Sequence, residues 1–70
     1  MIGHELLDRI RQAPEQLSDE DLDEGIEFFG RMEAGLRALG PHYHLAWAEV
    51  HRTWQMLRGF RMIKQRKADR

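Results

Sequence analysis

Residues 25–41, "GIEFFGRMEAGLRALGP", carry a glycine at every fifth position in a stretch whose other residues are typical of a helix. A glycine inside a helix costs about 1 kcal/mol relative to alanine. The last of these glycines, Gly40, precedes Pro41, and this pair predicts the end of the helix because proline cannot continue it. The reason for the other glycines, Gly25, Gly30 and Gly35, must therefore lie in what packs against this segment.

The flanking sequence predicts two long helices joined at Gly40–Pro41. Upstream, Ser18 is a predicted N-cap, and Leu17 and Leu22 are placed to pack against each other across it. The second helix is therefore predicted over about 18–39. No proline interrupts the following segment, which predicts a third helix over about 42–67. A two-residue break between helices of matching length is typical of an antiparallel helical hairpin.

Along the second helix, apolar residues and glycine recur at intervals of three and four, which is typical of paired helices; they are Leu22, Gly25, Phe29, Met32, Leu36 and Leu39. Folding the hairpin at its bend predicts that Gly25 faces Leu57 and that Gly35 faces Trp47. We interpret these two glycines as positions of close approach and place Gly30 on the outer face. The predicted core and dimer contacts are Leu22, Phe29, Met32, Leu36, Val50, Leu57 and Phe60.

The N-terminal segment is predicted to form a short amphipathic helix over about 2–13, which Pro14 ends.

The 70-residue chain has no cysteine, so disulfides and thiolate metal sites are excluded. Apolar residues of the third helix cover about 200° of its circumference, more than the roughly 100° that a surface helix needs. We therefore expect one all-α domain over residues 1–70: a short N-terminal helix and an antiparallel hairpin of two long helices, dimerising into a four-helix-type bundle.

The net charge of −1 conceals an uneven distribution. Acidic residues are concentrated at the start of the second helix and basic residues at the end of the third, so each cluster complements the dipole of its own helix. In a hairpin the two clusters lie side by side. The basic residues are also candidate nucleic-acid contacts, namely Arg61, Lys64, Arg66 and Lys67.

Motifs that carry chemistry are incomplete. The stretch "HELLD" at residues 4–8 has Asp8 where a zinc-protease motif has its second histidine. His42, His44 and His51 are spaced too unfavourably along a helix to share one ion. The sequence thus predicts no catalytic residue, no metal and no cofactor, and hence no enzyme. The N-terminus resembles neither a signal peptide nor a membrane span, so the expected location is cytoplasmic.

The third helix places aromatic and basic residues along one stripe, a combination common at the energetic centres of protein interfaces; the residues are His44, Trp47, His51, Trp54 and Arg58. The alternative is that both tryptophans belong to the core. We predict a small non-enzymatic regulator that forms a homodimer and binds, and inhibits or redirects, a larger protein. Small inhibitors and adaptors of phages and mobile elements have this general form. Nucleic-acid or nucleotide binding through the stripe and the basic residues is the alternative function.

Overall fold

The computed structural model describes residues 3–68, which contain three α-helices and no β-strand, so the all-α prediction is confirmed. The helices are α1 (His4–Gln12), α2 (Asp19–Leu39) and α3 (His44–Ala68). Short 3₁₀ turns at Pro14–Gln16 and Pro41–Tyr43 connect them. Ile2, which the sequence places in the first helix, lies outside the described residues. None of the helices in residues 3–68 is long and apolar enough to cross a membrane.

The ends of α2 have the caps that the sequence predicts. Ser18 is the N-cap, and its hydroxyl accepts a hydrogen bond of 3.1 Å from the backbone N–H of Asp21. At the other end, Gly40 has a φ of 99°, a value that L side chains rarely adopt, and its N–H donates to the carbonyl of Arg37. Gly40 therefore ends α2 because it can take this conformation, and the chain reverses direction there.

The buried apolar side chains gather at the end of the molecule far from Gly40; they are Leu6, Ile10, Leu17, Leu22 and Leu57. Leu6 and Ile10 come from α1, so this short helix packs its apolar face over the start of α2 and the second half of α3. Phe29, Met56 and Phe60 pack around this core and remain half-buried. α1 thus covers only one end of the groove between the two long helices.

Contacts between α2 and α3 follow reverse order along the chain, joining Asp23 with Arg61, Gly25 with Leu57, Gly30 with Trp54, and Glu33 with Trp47. A Cβ added at Gly25 would lie 3.0 Å from Leu57 Cδ1, so the predicted close approach at Gly25 is confirmed.

The predictions for the other two glycines of α2, Gly30 and Gly35, are wrong. Apart from its chain neighbours and the backbone of α2, a Cβ at Gly35 would meet no described atom within 4 Å, whereas one at Gly30 would lie 3.1 Å from the indole Nε1 of Trp54. Gly30 is therefore the second position of close approach. Gly35 is exposed because the contact face of α2 passes through Glu33, and a separation of two residues turns a position by about 200° around the helix, away from that face.

Candidate interaction surfaces

Four aromatic rings follow one another along α3, from His44 at its start through Trp47 and His51 to Trp54; the first two pairs are stacked and the last is tilted by 55°. The ring centroids are 5.7, 4.8 and 5.8 Å apart, and the first two pairs are within 25° of parallel. Arg58 extends the stack, because its guanidinium lies 4.8 Å from the centre of the Trp54 ring. We call these five residues the aromatic stack.

One carboxylate anchors the stack to α2. Glu33 is only 5% exposed, and its Oε1 accepts a hydrogen bond of 2.8 Å from Trp47 Nε1. Arg37, one turn further along α2, donates to the same oxygen. The buried Nδ1 of His51 lies 3.6 Å from this oxygen, beyond hydrogen-bonding distance. Glu33 therefore supplies the acceptor that the half-buried indole N–H of Trp47 requires.

The surroundings of Glu33 favour its ionised form. The hydrogen bond from Trp47 lowers the pKa of Glu33 below its ordinary value of 4.5, burial opposes this shift, and the charge and hydrogen bond of Arg37 reinforce it. Arg37 also lies over the Trp47 ring, 5.9 Å from its centre. Glu33, Arg37 and Trp47 therefore form a charge-assisted contact between α2 and α3 near the bend.

The structure brings together all five residues that the sequence predicts as partner contacts, but it places them partly inside the molecule. Trp47, His51 and Trp54 are half-buried, since one edge of each ring faces α2. His44 and Arg58, at the two ends of the stack, are exposed. The surface available to a partner is thus the outer edge of the stack and its two ends.

The basic residues near the end of α3 divide into two pairs. Arg61 donates to Asp23 over 2.9 Å and lies 3.6 Å from Asp19, and these acidic groups raise its pKa. Lys64 donates to the backbone carbonyl of Leu17. Arg66 and Lys67 are exposed. Two of the four predicted nucleic-acid contacts therefore hold the start of α2 to the end of α3.

A hollow of about 670 Å³ opens where α1 stops short of the bend. Its lining is mostly apolar, including Phe28, Met32, Val50 and Met56, and it carries Glu49, Arg11 and Arg52. We call this hollow the open groove. Met32 and Val50, both predicted as core or dimer contacts, line this groove instead of a closed core, and Met32 is 37% exposed.

A smaller hollow of about 430 Å³ lies beside the bend, next to the start of the aromatic stack. Leu36, Gly40 and Pro41 form its apolar part, and Arg37, His44 and Trp47 supply charge and aromatic surface. We call it the bend pocket. Leu36, a predicted core residue, is half-buried here, and Leu39, which the spacing placed in the helix contact, is 61% exposed.

Glu33 and Arg37 are the residues that sequence reasoning missed. The helix spacing that predicts the contact face rests on apolar residues and glycine alone, so it does not identify an acidic residue at a buried position. A usable indication was present, because a tryptophan packed between helices needs an acceptor for its N–H, and Glu33 lies on the stretch of α2 that faces Trp47.

Within residues 3–68, no group of three or more His, Asp or Glu side chains is arranged to hold a metal ion. Comparison of the chain with protein-family models, curated proteins and solved structures finds no match.

Proposed function

We propose that this chain is a small non-enzymatic regulatory protein that binds a larger protein, and inhibits or redirects it, through the outer edge of the aromatic stack and the bend pocket. The observation that carries the proposal is the bend pocket, where Trp47, Arg37 and His44 surround an apolar depression. Tryptophan and arginine contribute large contact areas and directed hydrogen bonds in protein interfaces. In our proposal, the two long helices act as an antiparallel hairpin that presents this surface.

The internal bonds of the stack support this role because they hold the surface in one shape before a partner arrives. Trp47 is fixed from below by Glu33 and flanked by His44 and His51. A side chain already ordered in the free protein loses little conformational entropy on binding. The partner would therefore meet a preorganised aromatic surface with a cation at each end, Arg37 near the bend and Arg58 at the far end.

The experiment is capture of binding proteins from the native cells, followed by direct binding measurements with each purified candidate. His44→Glu places a new charge at the bend pocket, and an acidic residue is favourable at the start of α3. We expect this variant to lose the partner, and Arg58→Glu to weaken it. His42→Glu is the matched control, because His42 is also exposed near the bend but does not line the pocket.

The proposal is wrong if His44→Glu, shown by circular dichroism to be folded, binds the purified partner as well as wild type does. It is equally wrong if wild type captures nothing that depends on His44 or Arg58.

Nucleic-acid binding is less well supported, because Arg61 and Lys64 are already engaged with groups of the same chain. Mobility-shift assays with labelled DNA and RNA at low salt test it directly. Binding that falls steeply with salt and is abolished by Arg66→Glu with Lys67→Glu would favour the nucleic-acid function over ours.

A further inference from the structure

A second surface, on a different face of α3 from the aromatic stack, has a self-complementary pattern. Four side chains form a stripe on it, namely Leu45, Glu49, Arg52 and Met56. Their spacing of four, three and four residues keeps them on one side of the helix. Three of them line the open groove, and Leu45, one turn nearer the bend, is 83% exposed.

We infer that this stripe binds a second copy of the same chain, with the two α3 helices antiparallel. The two-fold axis that relates them meets the stripe at its midpoint, level with the peptide bond between residues 50 and 51. Along the stripe the order is apolar, acidic, basic, apolar. An antiparallel copy therefore places Arg52 opposite Glu49, and the two-fold axis repeats this ion pair. The same register places Leu45 of each copy against Met56 of the other. A parallel pairing would instead oppose like charges.

The pattern points to a copy of this chain rather than to an unrelated helix. A two-fold interface requires a surface that is complementary to itself, and this stripe meets that requirement in charge and in apolar position. The surroundings agree, since Phe28 and Met32 in the adjoining groove offer further apolar surface for a second copy to cover. The inference goes beyond the proposed function, because the stripe leaves the outer edge of the stack and the bend pocket free for another protein.

The test is sedimentation equilibrium of the full chain over the micromolar range at low salt. Wild type should form a reversible dimer. In the Glu49→Arg dimer, the new arginine of each copy would face Arg52 of the other. In the Arg52→Glu dimer, the new glutamate would face Glu49. Each variant alone should therefore dimerise at least about tenfold more weakly than wild type. An equimolar mixture of these two variants should dimerise about as well as wild type, because each chain then meets its complement. Arg66→Glu, which makes the same charge change outside the stripe, should dimerise normally.

Circular dichroism melting of each variant checks that the exposed substitutions leave the monomer folded. A wild type that stays monomeric overturns the inference, and so does a mixture that associates no better than its separate components. Neither result affects the proposed function, which His44→Glu tests on the other face of α3. Conversely, if no larger protein is found to bind the chain, the equimolar mixture of Glu49→Arg and Arg52→Glu should still dimerise.

Discussion

Far from the bend, α1, the start of α2 and the second half of α3 enclose the buried apolar side chains, whereas near the bend α2 and α3 meet around one carboxylate. We call these regions the core half and the bend half. In the core half, each fully buried leucine contributes about 1.5–3 kcal/mol by leaving water. In the bend half, the contact is polar and charge-assisted, and apolar side chains such as Leu39 and Leu45 remain exposed.

This difference has a functional consequence. The core half uses its buried apolar residues to hold the chain together, and Met62 and Ile63 are its large exposed apolar side chains. The bend half closes around Glu33 instead, and its residues line the bend pocket, whereas residues of both halves line the open groove. The bend pocket, which carries the proposed function, therefore belongs to the half that depends least on apolar burial.

The largest expected effect comes from the core half. Leu57 is fully buried and contacts Gly25, so Leu57→Ala removes buried atoms and leaves a cavity. We expect a loss of about 3 kcal/mol in the free energy of unfolding, measured by urea denaturation. Met62→Ala, on the same helix but more than half exposed, is the control and should cost under about 0.5 kcal/mol. An equal decrease in the free energy of unfolding for both variants would contradict the assignment of Leu57 to the core and Met62 to the surface.

The second effect separates two glycines of α2. A leucine at Gly30 must displace the Trp54 ring, so Gly30→Leu should destabilise the protein by about 2 kcal/mol. Gly35→Leu should be neutral or mildly stabilising in the same assay, because its side chain enters open space and leucine favours a helix more than glycine does. If Gly35→Leu were the more damaging change, the contact face of α2 would be the one that apolar spacing predicts.

The glycines also show which parts of the structure the sequence predicts correctly. The roles of Ser18 and Gly40 follow from local rules, since capping and left-handed φ each act over a few residues, and the contact of Gly25 with Leu57 follows from apolar spacing once the chain folds back at the bend. The misplacement of Gly30 and Gly35 has a different cause. Apolar spacing cannot identify a buried acid, and Glu33 is buried because Trp47 and Arg37 satisfy it. The bend half was therefore predicted less well than the core half, and with it the environment of the aromatic stack.

The third effect tests the charge in the bend half. Glu33→Gln keeps the shape of the side chain but removes its charge. It should therefore lower the thermal unfolding midpoint at neutral pH, though by less than Leu57→Ala or Gly30→Leu does. The pKa of Glu33 is lower in the folded chain than its ordinary value of 4.5. The ionised side chain therefore stabilises the fold at pH values above 4.5, and this stabilisation is lost as the pH falls through the pKa of the folded chain. Melting curves of wild type and variant should converge on acidification.

Glu27→Gln is the matched control for this prediction. Glu27 also pairs with an arginine four residues later, Arg31, but both side chains are exposed. Exposed pairs of this kind contribute little, so the variant should melt like wild type at every pH. A pH-independent loss in Glu33→Gln would show that the charge of Glu33 is not what stabilises the bend half.

The smallest effect is a gain. Gly35→Ala replaces an exposed helical glycine with the best helix former, and the added methyl group meets no described atom beyond its chain neighbours and the backbone of α2. We expect up to about 1 kcal/mol of added stability in urea denaturation. A loss of stability would indicate that a neighbour approaches Gly35 more closely than the free chain shows.

Native-state hydrogen exchange, followed residue by residue by NMR in dilute solution, compares the two halves most directly. Amides around Leu22 and Leu57 should exchange only when the whole chain unfolds, with protection equal to the global free energy of unfolding. Amides flanking the bend, at residues 36–39 and 44–48, should exchange faster through local opening, because few buried apolar side chains hold them. Equal protection in both regions, at the global value, would contradict the account, since the bend half would then be as firmly closed as the core half.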